Sequence, residues 1–137
     1  FVANKKFAAA MEPGDHGSTY GGNPMAGQAC RTVFKILEDT KMIDHVQDIS
    51  EYLIEKLDDL QEAFPCIKER RGLGLMIGLE FDKPVKDIVK TCLDLGLIVV
   101  TAGPHVVRML PPFITTEKDV DQAIAILKEA IEKNLKI

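Results

Sequence analysis

The segment GDHGSTYGGNP, from Gly14 to Pro24, brings together residue types that can bind an anion. It holds four of the chain's ten glycines and the adjacent hydroxyls of Ser18 and Thr19. Glycines let backbone N–H groups come close to a ligand, and the helix predicted to follow carries a partial positive charge at its N-terminus. The combination suits a phosphate or another anion. A tight connection in which the glycines serve only backbone geometry explains the same residues equally well.

A second candidate for chemistry is Arg108, which lies among apolar residues in VVRMLPP. The planar fork of a guanidinium binds a carboxylate through two parallel hydrogen bonds. The alternative is an edge arginine whose stem covers the sheet while its head reaches water, and spacing alone favours this alternative. The neighbouring pair Arg70 and Arg71 is interpreted as a solvated pair at the end of a strand.

Other kinds of catalytic or binding site find little support in the sequence. The three histidines lie far apart without a thiol or carboxylate at metal-ligand spacing, and His16 is as well explained by a loop role as by a site. No metal site and no Ser-His-Asp grouping is therefore predicted. No C-x-x-C spacing occurs, so the cysteines are expected to be reduced core residues of a cytoplasmic protein. They are Cys30, Cys66 and Cys92.

Length and charge exclude two classes of partner. The chain has 137 residues, enough for one domain or for one domain with a fragment of another. Its net charge is −4 with acids and bases mixed, which argues against nucleic acid. No apolar run approaches the ~20 residues of a membrane helix. The opening residues FVANKKF lack an initiator Met, and we expect a longer parent protein.

Periodicity predicts helices first and a small sheet afterwards. Apolar residues at steps of three and four predict one helix from Pro24 to about Lys41, behind an Asn23 cap, and a second from Ile43 to Phe64. A short helix over KKFAAAM, capped by Asn4, is expected to end at Pro13.

The second half predicts the order β-β-α-β-β-α. CIKERRGLGLMIGLEF indicates two strands forming a hairpin with a bulge, LIVV and VVRML indicate two more, and Thr116 with Asp119 indicates a capping box before the last helix. The predicted fold class is α+β, with a small, mainly antiparallel sheet and helices packed on one face.

Three segments resemble signatures of the class III aminotransferases, in the family's order and over nearly the whole chain. PGDHGSTYGGNPMAGQA is similar to P-G-x-H-G-[ST]-T-[FY]-G-G-N-P-L-A, and RGLGLMIGLEF to R-G-x-G-L-M-x-G-[IL]-E. VVRMLPPFITTEKDVDQAI is similar to [IL]-R-x-x-P-P-L-x-[IV]-[ST]-x-x-[ED]-[IL]-D-x-A. The form GDHGSTYGGNP most resembles acetylornithine aminotransferases, with ornithine and 4-aminobutyrate aminotransferases as near relatives.

The resemblance implies a fold-type I enzyme that uses pyridoxal 5′-phosphate (PLP) and acts as a homodimer. Residues 1–22 would be the C-terminal remnant of the large PLP-binding domain, and residues 23–137 the C-terminal small domain. The position of Thr19 bonds the PLP phosphate of the other subunit. The position of Ser18 lies near substrate and cofactor, and that of Arg108 binds a substrate carboxylate.

The resemblance also implies small-molecule substrates, an amino acid and a 2-oxo acid. The expected reaction moves an amino group from N-acetylornithine to 2-oxoglutarate in arginine biosynthesis. The family's Schiff-base lysine lies upstream of Phe1, so we expect no catalytic residue in this chain, no PLP bound to it alone and no activity by itself. A fragment of an ornithine or 4-aminobutyrate aminotransferase, and a freestanding non-catalytic α+β binding module, remain as alternatives.

Overall fold

The computed structural model describes residues 4–12 and 14–135. The chain divides into two compact units, Phe1–Thr40 and Lys41–Ile137. None of the helices in the described ranges combines the length and apolar content that a membrane span needs.

The described residues of the first unit form two helices, each of which begins at an asparagine cap. The side chain of Asn4 accepts hydrogen bonds from two backbone N–H groups of α1 (Lys5–Ala8). That of Asn23 accepts one from Ala26 of α2 (Pro24–Asp39), and Pro24 occupies the first turn. Both caps confirm the sequence prediction, because an asparagine oxygen replaces the missing intrahelical acceptor. The helix α1 is shorter than expected, and Pro13, its predicted end, lies outside the described residues.

The second unit is built on a sheet that is antiparallel throughout, as the sequence predicted. Its strands are β1 (Ile67–Leu73), β2 (Met76–Phe81), β3 (Val100–Thr101) and β4 (Val106–Met109). In the described part of this unit they form one sheet in the order β1-β2-β4-β3. The β1-β2 hairpin has the predicted bulge, since its register shifts between Ile67 and Glu69, but this shift lies near the start of β1 and not at the glycines between the two strands. The strand predicted over LIVV, residues 97–100, is observed only at Val100 and continues to Thr101.

Helices cover one face of this sheet, which confirms the α+β prediction. The helices are α3 (Met42–Ala63), α4 (Lys86–Asp94) and α5 (Glu117–Leu135). α3 contacts β1 and α5, and α5 contacts α4. Alternate strand residues enter the core, so Ile77, Leu79 and Val107 are fully buried against Leu57 and the other core residues, whereas Gly78 and Glu80 between them are only half-buried.

The start of α5 has the capping box that the sequence predicted. The backbone N–H of Thr116 donates to the carboxylate of Asp119 at 2.9 Å, and the N–H of Asp119 donates to the Thr116 hydroxyl oxygen at 3.4 Å. The hydroxyl of Thr116 also donates to Asp119 and lowers the pKa of that carboxyl. These bonds satisfy donors that the helix itself leaves unpaired.

The turn between β1 and β2 depends on glycine for two different reasons. Gly72 has a φ of 144°, a conformation nearly confined to glycine, and a Cβ there would lie 2.1 Å from the carbonyl oxygen of Met76. Gly74 has a φ of 58° and a nearly open environment, so only its backbone conformation favours glycine. The close approach at Gly72 is therefore the stricter requirement of this hairpin.

We predict that Gly72→Ala destabilises the chain more than Gly103→Ala, by about 1–3 kcal/mol, because it adds a steric clash to the backbone strain. Gly103 is the matched control, since its φ is 83° and a Cβ there meets no described atom within 4 Å. Urea unfolding followed by circular dichroism measures both. Equal losses in the free energy of unfolding would contradict the prediction, because they would show that the hairpin backbone moves to accommodate a Cβ at position 72 at no energetic cost.

The cysteines differ in exposure, which corrects the expectation that all three are core residues. Cys92 is fully buried, Cys66 is partly buried and Cys30 is exposed. Cys30 lies in α2, none of whose residues is buried, so its apolar neighbours in the sequence do not form a core within that unit. Burial raises the pKa of the Cys92 thiol to about 11, because the thiolate is poorly solvated there.

We predict that a disulfide reagent at pH 8 labels Cys30 first and Cys92 only on unfolding, as peptide mapping would reveal.

The raised pKa of Cys92 also makes stability depend on pH. The Cys92 thiol of the unfolded chain has a pKa of about 8.5, so the folded chain retains a proton that the unfolded chain has lost between that pH and about 11. The resulting stabilisation is fully present below about pH 8.5 and is lost as the pH rises towards 11.

The stability difference between the wild type and Cys92→Ala should then shrink by about 1–3 kcal/mol between pH 8 and pH 10.5. A constant difference would contradict the assignment of this titration to Cys92.

Candidate functional site

The glycines of the segment 14–24 are needed first of all by the backbone. Gly14 and Gly22 have φ values of 107° and 77°, which other residues rarely adopt. Gly21 has an ordinary φ, but a Cβ there would lie 2.9 Å from both Cβ and Oγ of Ser18. The loop therefore folds back on Ser18, and the geometric explanation offered by the sequence is correct for at least three of its glycines.

The same loop leaves its two hydroxyls available. Ser18 and Thr19 are exposed, and neither side chain makes a hydrogen bond to the part of the chain that the structure describes. Asn23 closes the loop, because its amide donates to the carbonyl oxygen of Tyr20 and its oxygen accepts from the N–H of Ala26 at 2.9 Å. The structure thus holds two unbonded hydroxyls shortly before the N-terminus of a sixteen-residue helix, where an anion is favoured.

Arg108 belongs to the second unit and lies in the interior of its sheet. It pairs with Gly78 of β2 on one side and with Val100 of β3 on the other. Its side chain is exposed on the face opposite the buried Val107 and Met109, away from the helices. No salt bridge joins Arg108 to any residue in the ranges 4–12 and 14–135, so its fork is available to a ligand.

Arg71 lies on the same open face, across β2 from Arg108. It pairs with Gly78 from the opposite side, and its guanidinium donates to the carboxylates of Glu69, at 3.0 Å, and Glu80. The hydrogen bond to Glu80 is the larger cause of the raised pKa of Arg71. We call Arg71, Glu69 and Glu80 the acidic clamp.

Arg70 points to the helix-covered face and makes a separate ion pair. Its Nε and Nη2 lie 2.5 Å and 3.1 Å from the two carboxylate oxygens of Asp58 on α3. The prediction of a solvated arginine pair at a strand end is therefore wrong. Both arginines lie within β1, on opposite faces, and both have carboxylate partners that are distant in the sequence or across the sheet.

The described residues contain no group of three or more His, Cys, Asp or Glu side chains placed to hold a metal ion. Two features are therefore of chemical interest. One is the segment 14–24 of the first unit, which we call the hydroxyl loop after Ser18 and Thr19, and the other is the sheet face opposite the helices of the second unit, which carries Arg108 and which we call the open sheet face.

Comparison with known proteins identifies the family. The model of the family described as aminotransferase class-III matches residues 1–131. The chain belongs to the class III aminotransferase family. The hydroxyl loop, the β1-β2 hairpin and the segment around Arg108 all lie inside the matched range.

Curated class III relatives are longer than this chain. It is 41% identical over 132 residues to the acetylornithine aminotransferase of Clostridium acetobutylicum, covering 96% of the chain and 34% of that protein. It is 39% identical over 133 residues to the acetylornithine aminotransferase of Streptococcus mutans, with 97% and 35% covered. The chain thus spans about a third of the length of the curated relatives it matches.

Solved class III structures share the fold. The ornithine aminotransferase of Plasmodium yoelii superposes with a TM-score of 0.82 at 27% identity, covering 96% of this chain and 36% of that one. The ornithine delta-aminotransferase of Plasmodium falciparum gives a TM-score of 0.82 at 29% identity, with 96% and 35% covered.

Proposed function

We propose that this chain is the C-terminal part of a PLP-dependent aminotransferase that moves an amino group from N-acetylornithine to 2-oxoglutarate, in arginine biosynthesis. The observation that carries the proposal is the match to acetylornithine aminotransferases at 34–42% identity over nearly the whole chain. Its three free cysteines accord with a cytoplasmic enzyme.

Two alternatives are less well supported. Among solved structures the identity to ornithine aminotransferases is 27–29% and that to an acetylornithine aminotransferase is 23%, so the preference rests on the curated acetylornithine relatives at 34–42% identity. A freestanding non-catalytic module would leave unexplained why the family match runs through residues 1–131. The acetylornithine assignment therefore remains the preferred one, and a side-by-side assay of the parent enzyme on N-acetylornithine, ornithine and 4-aminobutyrate would test it.

The hydroxyl loop fits the phosphate of PLP. Ser18 and Thr19 carry donors that the described chain leaves unbonded, and Gly22 holds a backbone conformation that allows close approach. We assign phosphate binding to Thr19, acting on the partner subunit of a homodimer, and contact with cofactor and substrate to Ser18. Residues 1–22 would then belong to the large domain and residues 23–137 to the small one.

Arg108 fits the carboxylate of a substrate. Its guanidinium is exposed on an open sheet face and has no salt-bridge partner among the described residues, and its backbone is fixed by strands on both sides. A carboxylate held by two parallel hydrogen bonds has a defined orientation. The rest of the substrate, including its reacting group, is then presented to the cofactor in one geometry.

PLP, when bound, supplies the electron sink for moving an amino group between carbon skeletons. The tasks assigned to residues of this chain are binding and orientation, and none is assigned the covalent bond to PLP. We therefore expect the chain alone to be inactive and to hold no PLP.

We predict that Arg108→Lys in the full-length enzyme raises the KM for at least one carboxylate substrate by about 10- to 100-fold. Lysine keeps the charge but loses the fork, and a hydrogen bond to a charged group contributes about 1.5–3 kcal/mol. Steady-state kinetics measure the effect. Arg70→Lys is the matched control, since Arg70 also makes a bidentate pair but on the covered face. If both KM values of Arg108→Lys stay within twofold of the wild type, Arg108 is a surface residue that does not bind substrate.

We predict that Thr19 acts across the dimer interface. The test uses full-length heterodimers in which one subunit carries Thr19→Val and the other lacks the cofactor-bonding lysine. Valine keeps the branched shape and removes the hydroxyl, which should weaken PLP binding in a Thr19→Val homodimer by about 1.5–3 kcal/mol.

In that heterodimer the one lysine-bearing site receives an intact Thr19 from its partner, and its PLP affinity should equal that of the wild type. An affinity as low as in the Thr19→Val homodimer would place Thr19 in its own subunit's site instead.

A further inference from the structure

The open sheet face carries more charge than the proposed function uses. Arg71 and Arg108 flank Gly78 from neighbouring strands, and Glu69 and Glu80 lie on the same face one row further along. Arg71 donates to both carboxylates, whereas Arg108 is joined to neither. These two arginines and two glutamates thus lie on one face, yet both carboxylates bind the guanidinium of Arg71.

Glu80 is placed where it could compete for Arg108. Gly78 pairs with Arg108 and Glu80 pairs with Val106, so Glu80 and Arg108 are diagonal neighbours on adjacent strands. Diagonal pairs are separated by about 7–8 Å, within reach of long side chains. Gly78 itself has no side chain, but Cγ1 of Val106 lies 3.2 Å from where a Cβ on Gly78 would stand, so one aliphatic side chain lies beside this diagonal. The hydrogen bond to Arg71 directs the Glu80 carboxylate towards β1 instead.

Stability alone explains the acidic clamp poorly. The side chains of Arg71 and Glu80 are 47% and 40% exposed, and Glu69 is 58% exposed. Ion pairs this exposed contribute little to the free energy of unfolding. A competing carboxylate beside a substrate-binding arginine has a direct effect on affinity, because the substrate must first displace it.

We propose that Arg71 is a positioning residue that holds Glu80 away from Arg108 and so keeps that guanidinium free for a substrate carboxylate. The inference rests on the proposed role of Arg108. It assigns to Arg71 no contact with substrate or cofactor.

The test measures kcat and KM for N-acetylornithine and 2-oxoglutarate in the full-length enzyme. Arg71→Gln releases both glutamates and should raise the KM of the substrate held by Arg108 about three- to fivefold, the range of an exposed ion pair, with kcat within twofold. Arg71→Lys, which keeps a cation beside Glu80, should stay within twofold in both constants. Arg71→Met, which keeps an apolar stem on the sheet, is the second variant if Arg71→Gln does not fold.

The double variant Arg71→Gln/Glu80→Gln separates positioning from structure. It removes the competing carboxylate of Glu80 as well as the guanidinium of Arg71, so the KM should return to within twofold of the wild type. Arg70→Gln is the matched control, because it breaks an ion pair one residue away on the opposite face and should leave KM unchanged.

Two results would overturn the inference while leaving the proposed function intact: an unchanged KM in Arg71→Gln while Arg108→Lys raises it, or a raised KM that the double variant fails to restore. If Arg108→Lys itself leaves both KM values within twofold, the proposed function fails and the inference fails with it.

Discussion

The antiparallel pairing of β2 with β4 determines which side chains of the second unit reach the core and which reach solvent. In the observed register Ile77 faces Met109 and Gly78 faces Arg108. A slip of one residue would exchange the two faces of a strand, and it would bury the charge of Arg108 while exposing Val107. Burial of an unpaired guanidinium is costly, so the hydrophobic core and the free arginine fix the same register.

The two proposed sites are built on opposite physical principles. At the hydroxyl loop, glycines occupy positions with a positive φ or with no room for a Cβ, and this allows the backbone to turn sharply around Ser18. At the sheet face, regular pairing on both sides holds Arg108 with little backbone freedom. The loop is suited to surrounding a compact anion, and the strand is suited to presenting one rigid fork. Both accord with the phosphate and carboxylate assigned to them.

Local features of the fold were predictable from the sequence because their partners are only three or four residues away. The Asn23 cap and the box of Thr116 with Asp119 are of this kind. The hairpin was also predictable, since Gly72 and Gly74 interrupt a segment whose two ends have the composition of strands. The motifs around Thr19 and Arg108 further identified the family, although they left the roles of both residues as proposals.

Tertiary structure alone decided the partners of the charges. Arg70 and Arg71 are adjacent and chemically alike, yet strand alternation sends one to Asp58 on a helix and the other to Glu80 across the sheet. No local pattern indicates that Arg108 has no salt-bridge partner in the part of the chain that the structure describes, because that depends on which residues the register of β2 and β4 places beside it. The sequence by itself determined the elements, their order and the family, since those depend on neighbouring residues and motifs. The free or paired state of each arginine depends on strands that only the folded sheet brings together.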